Sequence, residues 1–377
     1  MLRLNEHSLD WALQHALKYG DTDVFPFPFE YYAIAHDWDN IKSFLLKQDI
    51  HTWVVRPNRV LLSPKSKYGF RVVTQIDPLD FLVYSSIIKD IASDIESRRI
   101  HPSKNIVFSY RYQPNDQGQL FNPSINYGTF ESQCNNIIST EKQYQYIAIT
   151  DITDFYPKIY LHRLENALNS ATSQTDHIKG IIRLISGWNG TETFGIPVGS
   201  APTRLLAEIT ISDIDEALLA NNIRFIRFND DYRIFAHSHT EAYKHIALLA
   251  EMLFKNHGLT LQPKKTDILS IDDFKKIYLT SPDERELYSL NNRFEDLLNE
   301  LGISDRYQTI DYDDLEPEQQ ELVDSLNLVE LFQEGISTDE EIDIPLIKFI
   351  LRRMAQLRDP SLLDDIFDKI NTYPLKK

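Results

Sequence analysis

The 377-residue sequence contains a single cysteine, Cys134, and no long apolar run. One cysteine cannot build a disulfide framework or a cysteine metal cage within one chain. No apolar run approaches the ~20 residues that a membrane-spanning helix requires. The opening stretch, MLRLNEHSLDWALQHALKYG, lacks the apolar core and the cleavage site of a signal peptide. We therefore expect a protein that contacts no membrane and acts in the cytoplasm.

The sequence also lacks an excess of basic residues, since its formal net charge is −17. This charge alone would disfavour a nucleic-acid partner. However, residues 282–343 contain 20 Asp and Glu against three Arg, and the remainder contains 36 acidic and 36 basic residues. Local basic clusters in the remainder can therefore bind a polyanion. We expect the acidic segment to lie away from any bound nucleic acid, because like charges repel.

Hydrophobic periodicity and turn residues predict the order of secondary structure. The first half is predicted to comprise a β-hairpin over 61–75, a helix that opens on Pro78, a strand over 105–112, a strand that ends at Asp151 and helices over 160–188. The second half is predicted to comprise a helix over 203–220, a hairpin around 229–231, a helix closed by Gly258, a strand around 260–271 and mainly helices thereafter. From about 144 to 270 this order resembles a split βαβ domain with an inserted helical segment. In such a sheet the end of the first strand lies beside the hairpin turn.

Three aspartates would meet at that point: Asp151 at the end of the first strand, and Asp230 and Asp231 in the hairpin turn. An adjacent Asp pair alone is typical of a solvated turn. Two carboxylates roughly 5 Å apart repel by about 3 kcal/mol at an effective dielectric near 20, and a third adds to the repulsion. A divalent cation removes this cost, and oxygen ligands favour Mg²⁺, with Mn²⁺ possible. Paired ions of this kind support phosphoryl transfer.

Four motifs in order resemble the palm motifs of the reverse transcriptases. They are TDITDFYPKIY (150–160), FGIPVGSAPTRLLAEI (194–209), RFNDDYRIF (227–235) and GLTLQPKKT (258–266). Three further stretches resemble the bacterial defence-associated, abortive-infection branch more than the retroviral or intron enzymes. They are FPFPFEYYAIAHDWD (25–39), GFRVVTQIDPLD (69–80) and VFSYRY (107–112).

The resemblance implies an α+β, right-hand polymerase fold with fingers, a ferredoxin-like palm and a helical thumb or C-terminal domain. It divides the chain into three parts. Residues 1–143 would form an N-terminal helical region and the fingers, residues 144–272 the palm with finger helices inserted at about 160–190, and residues 273–377 the helical thumb or C-terminal domain.

The resemblance also assigns roles in the palm. Asp151, Asp230 and Asp231, together with the backbone of Ile152, would ligate the metal ions. Tyr156 would lie under the sugar of the incoming nucleotide, where a bulky ring clashes with a 2′-hydroxyl; the alternative is an ordinary core tyrosine.

Basic residues receive further roles from the resemblance. Lys65, Lys67 and Arg71 on the early hairpin would bind the triphosphate, or else form a solvated basic hairpin. Arg111 would contact template or nucleotide, or else serve as a structural ion-pair partner. Lys265 would protonate the leaving pyrophosphate, or else be a solvated lysine.

Two glycines of the second motif, Gly195 and Gly199, would let the backbone approach the template–nucleotide pair closely. Two positions depart from the family pattern. Val198 stands where many reverse transcriptases carry a glutamine, and Asn229 stands where Ala, Val or Met is commoner.

The function implied is that of an antiphage RNA-directed DNA polymerase, which adds deoxynucleotides to a 3′-hydroxyl or to a protein or RNA primer. Its partners would be dNTPs, an RNA template or a dedicated non-coding RNA, and the DNA product. Three alternatives remain open: an RNA polymerase on the same palm, a template-independent DNA polymerase, and a non-catalytic nucleic-acid-binding or assembly scaffold.

An apolar stripe near the end of the chain must be covered by something. It comprises Ile344, Leu346, Ile347, Ile350, Leu351, Met354 and Leu357, followed by Leu362, Leu363, Ile366 and Phe367. The stripe predicts a helical pair over 344–377 that packs against the thumb or against a neighbouring subunit, as a homo-oligomer; the alternative is an intramolecular cap.

Overall fold

The computed structural model of the protein describes residues 1–22, 25–66, 69–279, 315–324, 326–329, 331–332, 344–358 and 360. The chain forms two compact units, Met1–Ser63 with Arg71–Phe274, and Pro64–Phe70 with Lys275–Lys377. The helices are α1 (Glu6–Tyr19), α2 (Glu30–His36), α3 (Trp38–Leu46), α4 (Pro78–Arg98), α5 (Tyr127–Thr140), α6 (Phe155–Lys158), α7 (Leu161–Ala171), α8 (Thr175–Asn189), α9 (Ala201–Thr210), α10 (Ser212–Ala220), α11 (His239–Met252), α12 (Ile271–Leu279), α13 (Pro317–Asp324) and α14 (Ile344–Gln356). The strands are β1 (Arg59–Ser66), β2 (Gly69–Gln75), β3 (Tyr146–Asp151), β4 (Arg224–Phe228), β5 (Asp231–Ala236) and β6 (Asp267–Ser270).

Helix α4 lies at the centre of the first unit. The side chain of Asp77 caps it by accepting from the backbone N–H groups of Leu79 and Asp80, and Pro78 occupies the first turn. Its residues from Phe81 to Ile88 are all buried. The helix packs against α1, α7, α8 and α9. Neighbours on several sides are needed because this part of the helix is buried all round. The predicted helix that opens on Pro78 is therefore confirmed.

Four strands form one sheet in the order β4-β5-β3-β6, here called the palm sheet, in which every pair is antiparallel. The first strand, β3, thus lies between the second strand of the hairpin and the last strand. Helices α9 and α10 precede the hairpin, and α11 joins its end to β6. This is the order of a split βαβ domain, so the ferredoxin-like palm is confirmed.

Successive residues of the palm strands face opposite sides of the sheet, as the pleat requires. Ala148, Phe225 and Ile234 belong to the large core that includes α4 and α9. Ile147, Ile226 and Phe235 belong to a second core formed with α5. The sheet is therefore covered on both faces, and its functional residues are confined to strand ends and turns.

Three predicted elements differ from the structure. Residues 105–112 form isolated bridges and no strand, because Tyr110 takes a left-handed backbone with φ 46°. The predicted helix over 203–220 is two helices that meet at Ile211. The last palm strand begins at Asp267, because Pro263–Lys265 forms a 3-10 turn before it.

Other predicted elements are confirmed. Strands β1 and β2 pair as the early hairpin, and α7 and α8 occupy the predicted helical region over 160–188. Gly258, in a left-handed conformation, closes the helix that begins with α11. The mixed helix and sheet content is that of the predicted α+β polymerase fold, while the division into three domains stays a prediction.

The second unit contains α13 and α14 among its described residues. Ile350, Met354 and Leu357 of the predicted apolar stripe are buried within the single chain. The second helix of the predicted pair, beyond residue 360, lies outside the described residues, as does most of the acidic segment. No helix in the described part of the chain is long and apolar enough to cross a membrane.

Candidate active site

Two backbone features bring the three predicted carboxylates to one edge of the palm sheet. Asp151 is the last residue of β3 and lies opposite Asp231, the first residue of β5, in the antiparallel register. The backbone N–H of Ile152 donates to the carbonyl of Asp230 at 3.1 Å, which holds the turn beside the strand end. The predicted proximity of turn and strand end is confirmed. The metal-binding role of these residues, including the backbone of Ile152, stays a prediction.

The turn carboxylates are costly to ionise where they lie. Burial, followed by the charge of Asp151, raises the pKa of Asp230 to about 6. Burial raises the pKa of Asp231 to about 6 as well, although the guanidinium of Arg233 opposes the shift. Each carboxylate has lost hydration without gaining a full partner charge. A cation bound between them would offset that cost.

Lys265 already supplies one positive charge to this cluster. Its Nζ donates to Oδ2 of Asp151, and its side chain remains 52% exposed. Partial burial would lower the pKa of Lys265, but the hydrogen bond to Asp151 and the other carboxylate charges raise it above its ordinary value. The ammonium therefore stays protonated at neutral pH, directly beside the predicted reaction centre.

The donor set fits a divalent metal ion in its chemistry. Within the described part of the chain, no three His, Cys, Asp or Glu side chains already converge as a metal cage. At this cluster, the Lys265 ammonium pairs with an Asp151 oxygen. The oxygen donors of three carboxylates are nevertheless the kind of ligand that Mg²⁺ and Mn²⁺ prefer. Two of these carboxylates have raised pKa values, so a bound cation would also relieve the cost of ionising them.

Tyr156 lies close to the carboxylate cluster and is held from two sides. Its hydroxyl donates to Oδ1 of Asn229 at 3.1 Å, and its carbonyl accepts from the N–H of Ile196 at 3.1 Å. The ring is half-buried. Burial raises the pKa of the hydroxyl well above its ordinary value, so the hydroxyl stays a donor. Tyr156 of the first motif thus contacts the second motif at Ile196 and the third motif at Asn229, while its contact with a sugar stays a prediction.

The two glycines of the second motif have positive φ angles, which glycine adopts without a steric penalty. Gly195 has φ 93° and Gly199 has φ 116°, both in the region that side chains disfavour. A Cβ at Gly195 would lie 3.3 Å from the carbonyl oxygen of Pro157. The carbonyl of Val198 accepts from the N–H of Thr74 in β2 at 3.2 Å, which joins this loop to the base of the hairpin. Close approach of a nucleotide to Gly199 stays a prediction.

The basic residues of the early hairpin are described only in part. Arg71 is exposed on β2, where its guanidinium can meet a solvated ligand. Lys65 belongs to β1, and Lys67 lies outside the described residues. Triphosphate binding by these three residues stays a prediction.

Arg111 is a structural residue, which corrects its predicted contact with template or nucleotide. It is 1% exposed, and its Nη2 lies 2.6 Å from Oε1 of Glu96 and donates to the carbonyl of Ile100 at 2.8 Å. Burial lowers the pKa of this guanidinium to about 10. A side chain without surface cannot reach a ligand, so the structure supports the alternative of an ion-pair partner.

A buried ionic network beneath the turn was not predicted. Arg227 lies 2.5 Å from Asp215 and 3.1 Å from Glu208, and Arg99 lies 2.6 Å from Glu208. All four side chains are buried. The signal was present in the sequence, since a charged residue interrupts the apolar stretches RFIRF and LLAEIT. Such interruptions mark paired buried charges, but the partners cannot be read from one sequence.

The family of the chain follows from a family match over most of its length. Residues 64–312 match the family described as "Reverse transcriptase (RNA-dependent DNA polymerase)", which is more than half of the 377 residues. The chain belongs to the reverse transcriptases. The family is that of the RNA-dependent DNA polymerases, whose members generally use divalent metal ions, and it agrees with the predicted enzyme class.

Solved structures similar to this reverse transcriptase include three telomerases, whereas no curated protein matches it. One is apo telomerase from Candida tropicalis truncated from its C-terminal domain, with 13% identity over 58% of this chain and 51% of that chain and a TM-score of 0.41. Another is telomerase from Candida albicans in complex with a TWJ fragment of telomeric RNA, with 13% identity, 90% and 67% coverage, and a TM-score of 0.43. A third is apo telomerase from Candida tropicalis, with 11% identity, 64% and 48% coverage, and a TM-score of 0.43. The chain spans about half the length of the first of these.

Proposed function

We propose that this reverse transcriptase adds deoxynucleotides to a 3′-hydroxyl, or to a protein or RNA primer, at Asp151, Asp230 and Asp231. The observation that carries the proposal is the register of β3 against β5, which puts carboxylates from distant parts of the sequence at one strand end. Two Mg²⁺ ions, or Mn²⁺, held by these oxygens would activate the attacking hydroxyl and neutralise the leaving pyrophosphate.

The surrounding residues of the chain would bind and orient the nucleotide. The ring of Tyr156 would lie under the sugar and exclude a 2′-hydroxyl, while Gly199 would admit the base pair closely. Arg71, with Lys65 and Lys67, would bind the triphosphate by charge-assisted hydrogen bonds. The protonated Lys265, within reach of the cluster, would donate its proton to the leaving pyrophosphate.

The biological role we infer is antiphage defence in the bacterial cytoplasm, of the abortive-infection kind. The support is the similarity of residues 25–39, 69–80 and 107–112 to the defence-associated branch. Polymerisation in this role would use an RNA template or a dedicated non-coding RNA and yield DNA.

Incorporation of labelled dNTPs by the purified full chain tests the polymerase proposal. The reaction contains Mg²⁺ and is run with and without ribonuclease pretreatment of the protein, and with and without an added RNA template and DNA primer. We expect incorporation that depends on RNA. Incorporation that survives ribonuclease treatment without added template would instead identify a template-independent DNA polymerase. No incorporation in any combination would overturn the proposal and leave a nucleic-acid-binding scaffold.

Phage infection of cells tests the defence proposal separately. Cells expressing the parent chain should reduce phage plating, and cells expressing the variant with Asp230→Asn and Asp231→Asn should not. Equal protection by both chains would show that defence does not need the polymerase site, and no protection by either would reject the defence role.

A further inference from the structure

The side chain of Asn229 connects two residues that the proposed mechanism uses. Its Nδ2 donates to Oδ1 of Asp230 at 2.8 Å, and its Oδ1 accepts from the hydroxyl of Tyr156 at 3.1 Å. The orientation of the amide follows from chemistry, because a carboxylate only accepts and must face the NH₂ group. Both ends of the amide are therefore committed, one to a predicted metal ligand and one to the predicted sugar contact.

The backbone of Asn229 is fixed as firmly as its side chain. Its N–H donates to Oγ of Ser109 at 2.8 Å, and its carbonyl accepts from Nη1 of Arg227 at 2.8 Å. Arg227 in turn is buried and paired with Asp215 and Glu208. The residue has φ 56°, a left-handed conformation that Asn adopts more readily than most residues. The buried ionic network thus determines where the amide points.

Alanine, valine or methionine at this position could not make either hydrogen bond, since none has a polar side-chain atom. A phenylalanine at position 156 would keep the ring but lose the donor. The pair Tyr156 and Asn229 is therefore matched, because loss of either the hydroxyl or the amide breaks the hydrogen bond between them. The ring also packs edge-on against Phe155, so this bond adds a polar constraint to its packing.

We propose that Asn229 is a positioning residue for sugar selection, which holds the hydroxyl of Tyr156 and the carboxylate of Asp230 in a fixed relation. This inference rests on the proposed function, in which Tyr156 contacts the sugar. With the ring fixed relative to Asp230, the 2′-position of a bound nucleotide would lie against the ring, which leaves no room for a 2′-hydroxyl. When the tether is lost, the ring can rotate away and a ribonucleotide can enter.

The first experiment compares Asn229→Gly, Tyr156→Phe and the double variant with the parent. Glycine keeps the left-handed backbone while removing the amide. The measurements are kcat/KM for a dNTP and the matching NTP, and the Kd of each nucleotide by calorimetry. We expect each single variant to lose about tenfold in dNTP over NTP discrimination, the loss for one ordinary hydrogen bond. The double variant should lose no more than either single variant, since one tether is broken in all three.

A matched control separates the tether from the turn. Asn222 has the same φ of 56° in the exposed turn before β4, so Asn222→Gly makes the same backbone change away from the site. We expect this control to keep the parental discrimination. Asn229→Asp keeps an acceptor for Tyr156 but replaces the donor to Asp230 by a like charge. Because this change breaks the link to Asp230, it should lose discrimination as Asn229→Gly does, and parental discrimination in this variant would overturn the inference.

Tyr156→Ala distinguishes failure of the inference from failure of the proposed function. If Tyr156→Ala admits NTPs while Tyr156→Phe and Asn229→Gly discriminate as the parent does, the ring is the sugar contact and the tether is not needed, which overturns the inference alone. Unchanged discrimination in an active Tyr156→Ala variant overturns the sugar contact and, with it, the inference. Additive losses in the double variant would also overturn the inference, because they would show two independent effects.

Discussion

Two side chains at the candidate active site, Asp230 and Asp231, are costly to ionise where they lie. Their pKa values of about 6 result from burial and from neighbouring carboxylates. The folded protein therefore keeps a carboxylate cluster that is costly by itself and that a bound cation would stabilise. Carboxylates with raised pKa values are common at functional sites, where the residues needed for function are not the ones that would stabilise the fold most.

Replacing both turn aspartates tests this trade-off. The variant with Asp230→Asn and Asp231→Asn should lose Mg²⁺-dependent incorporation, because it removes most of the charge at the predicted ligands. Its free energy of unfolding without metal should stay the same or rise by about 1 kcal/mol, because repulsion and charge burial are relieved. Urea denaturation with EDTA, together with the incorporation assay, measures both. Normal incorporation would reject the assignment of these residues.

A second residue-scale prediction concerns His15, which lies far from the site in sequence. Its Nδ1 lies 2.7 Å from the carbonyl of Gly118, and its ring stacks on Trp11 and Tyr19. Burial lowers its pKa to about 4 from 6.5. The folded state thus favours the neutral ring, and its contribution to stability is full above about pH 6.5 and lost as the pH falls toward 4.

The expected loss from His15 between pH 7.5 and pH 5 is about 2 kcal/mol of unfolding free energy. Because other groups also titrate in this window, the quantity to measure is the difference between the parent and His15→Gln in urea denaturation at both pH values. His36→Gln, the same substitution on an exposed side chain of α2, is the control. Parallel pH dependences for the parent and His15→Gln would contradict the prediction.

At the scale of elements, the β4–β5 hairpin owes its position to the buried charges behind it. Helix α9 contributes Glu208, helix α10 contributes Asp215, and β4 contributes Arg227, which joins both carboxylates. Although burial opposes ionisation, Arg227 and Arg99 hold the pKa of Glu208 below its ordinary value. Three elements are thus tied to one another by ion pairs whose removal would leave a buried charge without a partner.

Neutralising Glu208 should therefore be costly. Glu208→Gln is expected to lower the free energy of unfolding by about 3 kcal/mol, because Arg99 and Arg227 would lose their shared partner in the interior. Glu216→Gln removes the partner of Arg98 in an exposed pair and should cost less than about 1 kcal/mol. Thermal and urea denaturation of both variants measure the difference. Equal costs would show that the network contributes no more than a surface pair.

For the molecule as a whole, the apolar stripe of α14 bears on whether two copies of the chain assemble through their helical ends. Ile350, Met354 and Leu357 of α14 are already covered within one chain. This part of the stripe is therefore not free for a second copy, which favours the intramolecular alternative for α14. The second predicted helix, beyond residue 360, lies outside the described residues.

We accordingly expect the full chain to be monomeric. Light scattering on the full chain and on a truncation that ends at Asp343 measures the mass of each. A dimeric full chain with a monomeric truncation would show instead that the C-terminal helices assemble the protein. The prediction that the acidic segment avoids nucleic acid is checked in the same preparation, by crosslinking a bound template and mapping whether residues 311–341 are labelled.

Sequence patterns were enough to predict the family, the order of the palm elements and the proximity of Asp151 to the Asp230–Asp231 turn. It could do so because strand alternation, turn residues and motif order are local properties, and because an antiparallel hairpin beside β3 permits few registers. The start of α4 could be predicted in the same way, because Asp77 and Pro78 are its N-cap and its first residue.

The partners of the polar side chains, in contrast, could be identified only from the folded chain. The burial of Arg111 against Glu96, the network around Glu208, and the contacts of Asn229 with Tyr156 and Asp230 each join residues that are remote in sequence or on different elements. Nothing local distinguishes an arginine that binds a ligand from one that pairs inside the core. The distinction arises from which carboxylate the fold brings within a few ångströms, and hydrogen bonds of this kind act only over that distance.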